Sequence, residues 1–598
     1  MLLSVALLSC AVASPRPAND GGQPDGGAGK DAAAQDKSSD SEPKLPSTYL
    51  DTTYARPTGR KIAVPRGGSS GDIGKEFQAA LNEAKPGDEI VLAAGAKFTG
   101  GFTLPAKTGD QWITIRSSNL QSLPAAGSRV GPQHAAAMPK LLAAHNNTPV
   151  LKTAPGAHHY RFIGIEMSAG EGVTTVGDLV KLGEGGQKQG SLEAVPHDII
   201  IDRCYIHGSP QMPMKRGIAL NSARTAIIDS HISDVHVVGQ DTQAICGWNG
   251  PGPFKIVNNY LEAAGENVMF GGARTGIPDL VPADIEIRRN HFYKPLSWRV
   301  GDPSYAGTRW AVKNLFELKS ARRVLVEGNT FENCWVDAQT GFAIVIKTSN
   351  QKSGQAWAIT EDVTFINNIV RHAGGGINFL GRSEPETSNT KRIRVANNLF
   401  EDISDKWGKN MGRLFQVLDG VDYLTIEHNT CFQTRHIISA AGKVPHRGFV
   451  FTNNIAPHNT YGVKGDGVNV GLETINKYFP GSVFRKNIIA GGRSELYPPD
   501  NFFPAKLDDV LSFDQASGVH RLKDSGRFSN AGGNGKGIGC DMDALKAAIA
   551  SPRVAPAANR PSKQEGRQKP DEAAPGTFVS ADGATARSAL SVPEGGWC

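Results

Sequence analysis

Two lysines in this chain stand where proton-transfer chemistry would need them. The short apolar runs IALNSA, ICGWNG, VMFGGA, FELKSA, IVIKTS and FQVLDG line up as a column that holds Asn221, Asn249, Gly271, Lys319, Lys347 and Leu418. Alternate residues of a strand face opposite sides, so Phe316 and Leu318 point inward while Glu317 and Lys319 point out. By the same count Ile344 and Ile346 point in and Lys347 points out. With coils stacked about 4.8 Å apart, Lys319 and Lys347 become neighbours. Two ammonium groups that close repel unless Glu317 or an anionic ligand balances them, and one is pushed toward the neutral amine. A lysine in that condition is a general base. The plainer alternative is that both side chains splay into water.

Carboxylates sit where loops lead into the same column: Asp241 in GQDTQAI, Glu266 in AAGENVMFGG and Asp337 in VDAQTGFAI. A suitably spaced pair would serve acid–base hydrolysis or hold Ca²⁺, the one cofactor these residues suggest. The repeated Asp-x-Gln at Asp241 and Asp337 reads more readily as a turn brace carried from coil to coil. The loop 293–314 gathers Trp298, Arg299, Arg309, Trp310 and Lys313 immediately before Glu317. Aromatic faces stack on sugar rings, and guanidinium groups grip carboxylates through two bonds at once. Those four residues other than Trp310, with Trp248, Asn249, Arg382 and Gln416, are therefore the candidate binding set. The competing reading is a flap packed on its own tryptophans.

Such side chains need a rigid scaffold, and the repeats supply one. A motif of alternating apolar residues followed by Asn recurs at Asn259, Asn290, Asn329, Asn368, Asn398, Asn429, Asn454 and Asn487, with Cys204 and Ser230 in two earlier copies. Its spacing runs from the mid-twenties to about forty residues, one coil plus loops of varying length. This pattern predicts an all-β fold, a right-handed parallel β-helix solenoid with an N-terminal capping helix and disordered tails. Asn tolerates left-handed backbone at the corner, and its amide can bond the Asn of the next coil, so these residues are read as structural. Residues 72–105 give an amphipathic helix (Phe77, Leu81, Ala84) and then a strand, a cap over the first coil. CDMDALKAAIA (540–550) is a second helix expected to cap or pack the exit.

FELKSARRVLVEGNTF (316–331) resembles the Lys-Ser to Asn-Thr-Phe segment of the chondroitinase-B and alginate-lyase family of polysaccharide lyases, which are parallel β-helices. The resemblance implies that Lys319 removes the C5 proton of a uronic acid. In that family an arginine one coil later, in a Leu-x-Leu-Arg-His-Gly run, assists; Lys347 in AIVIKTSN falls near its position. Here lysine replaces the arginine, the His-Gly is missing and the loop between coils is longer. The pectate-lyase Trp-Ile-Asp-His run and the polygalacturonase Asn-Thr-Asp and Gly-His-Gly runs are not found. The expected activity is β-elimination on a uronate-containing glycan. A carboxylate-based glycoside hydrolase and a non-catalytic, adhesin-like glycan binder are the alternatives.

Bulk properties narrow the setting. MLLSVALLSC is a signal-peptide shape, too short for a membrane span. Leu7-Leu8-Ser9-Cys10 suits lipidation at Cys10, whereas Ala11-Val12-Ala13 suits cleavage before Ser14. The chain is expected to be exported to the periplasm, the cell exterior or the outer membrane as a lipoprotein, its only membrane contact a lipid on Cys10. The domain plan is a signal over 1–13, a disordered linker over 14–48, the solenoid over 49–492, an irregular segment over 493–550 and a disordered tail over 551–598. A net charge of +6 spread along the chain argues against nucleic acid and suits an acidic polysaccharide; a monomer is expected. Seven scattered cysteines give neither CxxC spacing nor a disulfide framework, and Cys204 and Cys431 read as small buried hydrophobes.

Overall fold

The computed structural model describes residues 41–550, apart from 65–69, 515–518 and 524–526. Cys10, the signal, residues 14–40 of the linker and the tail 551–598 lie outside the described residues. Parallel strands stack into three sheets of 14, 13 and 12 strands, each coil giving one strand to each sheet in turn. The chain is a right-handed parallel β-helix. Its core is one continuous column of aliphatic and aromatic side chains from Phe98 to Phe484. Cys204 and Cys431 belong to that column, and burial pushes the Cys204 thiol up to about 12.

The asparagines form the expected ladder. Asn290 Nδ2 donates to Asn329 Oδ1 at 3.0 Å, Asn329 to Asn368 at 3.0 Å and Asn368 to Asn398 at 3.1 Å. The ladder runs on through Asn487 to Asn501. The corner geometry differs from expectation in one respect. The left-handed residue is the one before each ladder position, such as Arg289, Asn367, Asn397 and Lys486, with φ between 54° and 59°. That leaves the asparagine itself free to turn its amide inward. Asn329 also donates to Ile287 O at 2.9 Å and accepts from Asn290 N at 2.9 Å, so Asn329→Ala orphans several buried groups. A loss of about 2–4 kcal/mol in urea unfolding is expected.

Helix α1 (Ser70–Glu83) seals the first coil, its Phe77 ring edge-on to Phe102 at 4.8 Å. The far end closes differently from expectation. Helix α2 (Leu472–Tyr478) adds Ile475, Tyr478 and the following Phe479 to the end of the core. Helix α3 (Met542–Ile549) instead lies against the flank, Met542 and Leu545 packing on Leu399. Its N-cap Asp541 is tied to Asn397 of a mid-solenoid corner, which fixes it there. Between them, an antiparallel hairpin (Leu511–Asp514 with Val519–Leu522) covers Ile455 and Ile488.

Residues 44–53 run lengthwise over the first sheet as a strap. Lys44 N donates to Asp362, Ser47 N to Asp284, Lys255 Nζ to Leu50 O, and Arg161 Nη1 to Thr52 O. Leu50 covers an outward apolar patch of Ile200, Ala226, Ile228 and Val257. The linker boundary at 48 is therefore corrected: ordered contacts with the solenoid begin by Lys44, because those acidic side chains accept its backbone N–H groups.

On the second sheet, Glu332 accepts from His291 at 2.8 Å and from Arg371 at 2.9 Å. Burial alone would raise its pKa, but His291 and Arg371 hold it down, from 4.5 to about 2. A depressed folded pKa gives stability that is present above about 4.5 and lost as pH falls toward 2. The stability difference between the wild type and Glu332→Gln is expected to shrink over that window in denaturant titrations.

Candidate functional site

The third sheet carries the lysines. Strand Phe316–Leu318 pairs in register with Phe342–Lys347, placing Glu317 opposite Val345 and extending to set Lys319 beside Lys347. Phe316, Leu318, Ile344 and Ile346 are core residues, so alternation puts Glu317, Lys319 and Lys347 on the outer face together. Glu317 is 0% exposed and lies 3.7 Å from Lys319 Nζ and 3.3 Å from Lys347 Nζ. Burial pushes the Glu317 carboxyl up; Lys319, Lys347 and Lys313 outweigh this and hold it low. Glu317 is thus the balancing charge that two adjacent lysines require.

Lys313 is part of the floor of the cluster. Its Nζ stands 3.0 Å from Asp241 and 3.0 Å from Glu266, and it is largely buried. Glu266 opens a strand, fully buried, and takes a second bond from Gln243 at 2.8 Å. Three carboxylates and three ammonium groups therefore meet across neighbouring coils, with the Glu266 and Glu317 carboxyls against each other. Beneath them Lys294 is fully enclosed, donating to Ala263 O at 2.7 Å, Ala264 O at 2.9 Å and Gly265 O at 2.5 Å. Burial pushes its pKa down to about 7, yet every neighbour of Nζ is an acceptor, which suits the ammonium form. This cage fixes the turn that presents Glu266.

A cleft with about 410 Å³ of room for water opens beside the cluster, lined by Arg216, Asp241, Gln243, Trp248, Gly272, Lys319 and Gln351 among others. Arg216 stacks on Trp248 at 5.1 Å. Lys319 is only 3% exposed, because Gly272 packs on its stem and, with its amide suitably oriented, Gln351 accepts from Nζ at 2.7 Å.

Several expected binding residues sit elsewhere. Trp298 is 3% exposed, packed with Trp310, Trp335 and Trp407 in a satellite core, so it offers no face to a sugar. The loop 293–314 is the packed flap. Arg299 lies over Trp407 at 4.6 Å, and Arg309 pairs with Asp337 at 2.8 Å. Asp337 also accepts from Val312 N at 3.0 Å, which makes it a brace for the flap. Asn249 is buried, donating to Glu184 O and accepting from Gly276 N. The column holds Trp248 at this coil, since Cys246 pairs with Met269 and the register carries Trp248 to Gly271. Arg382 bonds the carbonyls of Pro385 and Thr387 within its own loop. Gln416 stays in the outward column, accepting from Asn378 at 2.7 Å.

Beyond Gln416 the same sheet turns basic. Arg435 lies over Tyr461 at 4.9 Å, and the Tyr461 ring stacks on His436 at 4.5 Å. Burial, then Arg413, Arg435 and Lys464, push the His436 pKa down to about 4. Arg413 lies two residues ahead of the last aligned run, FQVLDG, and Arg435 and His436 belong to the next coil, which that alignment does not reach. Carrying it one coil further and two residues upstream joins Arg413 to His436 in one column.

No protein-family model matches the chain, and no curated protein matches it. Solved structures do. The chain is similar to the PL6-family alginate lyase AlyGC, at 13% identity over 83% of this chain and 60% of that one, with a TM-score of 0.45. A PL6 alginate lyase in complex with a trisaccharide gives 12% identity over 83% and 95%, with a TM-score of 0.44. Pectate lyase Pel9A gives 13% over 81% and 96%, with a TM-score of 0.31. At this level the likeness is one of coil architecture.

Proposed function

We propose that the chain is an exported, monomeric lyase that cleaves a uronate-containing acidic polysaccharide by β-elimination on the outer face of the third sheet. The observation that carries this reading is the pair Lys319 and Lys347, on consecutive coils, joined by buried Glu317 beside the cleft. In this reaction Lys319, as the amine, takes the proton from C5 of the uronate. The electron pair left behind forms the C4–C5 double bond as the C4–O bond breaks, and Lys347 gives a proton to the departing oxygen. The incoming sugar displaces the Gln351 amide from Lys319, and the basic run of Arg413, Arg435 and Lys464 continues the path for a polyanion.

The hydrolase alternative has less support. Asp241 and Glu266 share one lysine, Glu266 is fully buried, and Asp337 is held by Arg309. The carboxylates of the cluster do not suit Ca²⁺ either, because Lys313 stands between Asp241 and Glu266 and two further lysines flank Glu317. Turnover is therefore expected to survive chelators; a loss that added Ca²⁺ restores would contradict this.

The test of the reaction is ultraviolet absorbance of unsaturated uronate while the protein meets alginate, pectate and glycosaminoglycans. A rise is expected with one of them. A flat trace with new reducing ends would pass the reaction to the carboxylates, and binding without either signal would leave a glycan-binding protein. Export predicts a mature chain that starts at lipidated Cys10 or at Ser14, readable by intact mass.

A further inference from the structure

On the first sheet, several coils before the lysines, three imidazoles from two consecutive coils converge. His158 and His159 open the strand His158–Ile163, and His197 and Asp198 open the next, His197–Asp202, with His197 in register with His158. The rings of His158 and His197 stack at 4.8 Å with planes 3° apart. Nδ1 of His158 lies 2.8 Å from Nδ1 of His159. One ligand atom each from His159, His197 and Asp198 falls within 4.8 Å of the others. Left-handed backbone at His159 (φ 59°) and Asp198 (φ 51°) brings consecutive side chains to the same side of the strand.

A structural role explains only part of this. Asp198 holds Arg224 of the following coil, Nε to Oδ1 at 3.0 Å, just as Asp284 holds Arg323 and Asp362 holds Arg392 further along the sheet. Those later pairs stand without histidines: the residues before them are Ala283, Arg322, Glu361 and Lys391. The three imidazoles are an addition to the Asp–Arg ladder, and they contribute nothing to the core.

We propose that His158, His159, His197 and Asp198 form a binding site for a borderline divalent transition cation such as Zn²⁺ or Co²⁺, clamping two consecutive coils. Imidazole nitrogens with a single carboxylate suit such ions, whereas Ca²⁺ and Mg²⁺ take oxygen ligands. Arg224 is the built-in competitor. Its Nη2 reaches His197 Nδ1 at 2.7 Å and Asp198 at 2.8 Å, but its side chain is 46% exposed and free to swing outward. This inference does not rest on the reading of the lysine cluster.

The experiment uses the full chain without a polyhistidine tag, titrated with Co²⁺ and followed by visible d–d absorption, with Zn²⁺ as competitor. His159→Gln and His197→Gln are each expected to weaken binding by at least the roughly 10–100-fold that loss of an outer-sphere partner costs. Arg224→Ala is expected to tighten it. No binding, or binding that both glutamine variants retain, would overturn the site. Should a variant fail to fold, the wild type still decides. Zn²⁺ is expected to protect His159 and His197 from diethyl pyrocarbonate, read by mass spectrometry, and full labelling in its presence would refute the proposal.

Discussion

Lys319→Ala is expected to lower turnover of the cleaved polymer by about 10²–10⁴-fold, the usual worth of a positioned general base, with KM little changed. Truncation also takes a counter-charge from buried Glu317, so a fold-preserving partner is needed. Lys319→Arg provides it. The guanidinium keeps the positive charge beside Glu317 but does not release its proton at any working pH. It should therefore retain the folded state and still lose turnover. Lys347→Ala should cost less, because a second proton donor can be supplied by water in an open cleft. Near-wild-type rates in both Lys319 variants would remove this residue from the reaction, whatever the substrate proves to be.

Lys313→Met should be the most destabilising single change in the cluster, at about 3–5 kcal/mol in equilibrium unfolding. The side chain lies between Asp241 and Glu266, and these two carboxylates raise its pKa against the opposing effect of burial. Without it, Glu266 remains fully buried with a negative charge, holding Gln243 and lying against the Glu317 carboxyl. The double variant Lys313→Met with Glu266→Gln should recover a large part of the loss, since the stranded charge is then gone. A double-mutant cycle measures this coupling directly. A loss below about 1 kcal/mol would mean that the trio behaves like an exposed ion pair.

The fold was legible because one asparagine per coil repeats with enough regularity to survive loops of variable length. The lysine pair was legible for a related reason: two-residue alternation is unforgiving, and FELKS and IVIKT admit one inward-facing set each. Asn249 was assigned one residue off, since ICGWNG carries Trp248 at the alternating position and the strand ends at Gly247. Trp298 was misjudged for a different reason. Its partners Trp335 and Trp407 arrive from later coils, and nothing local to the loop announces them. The role of Lys313 was hidden likewise, because Asp241 and Glu266 reach it from two preceding coils. Side chains that meet through stacking leave a signal in the repeat; those that meet through loops leave none.

The strap changes how this solenoid should come apart. Arrays of stacked coils have only nearest-neighbour coupling, so they fray from an end and lose cooperativity as they lengthen. From Arg161 to Asp362 the first sheet advances by six strands, about 29 Å at the usual spacing. The eight residue steps from Thr52 back to Lys44 span a similar length when extended, about 26–29 Å. One taut segment therefore ties coils that otherwise never touch. Under pulling force or in denaturant, the coils it crosses should yield as a block, while those beyond Asp362 depend on helix α3 and the C-terminal hairpin laid across them.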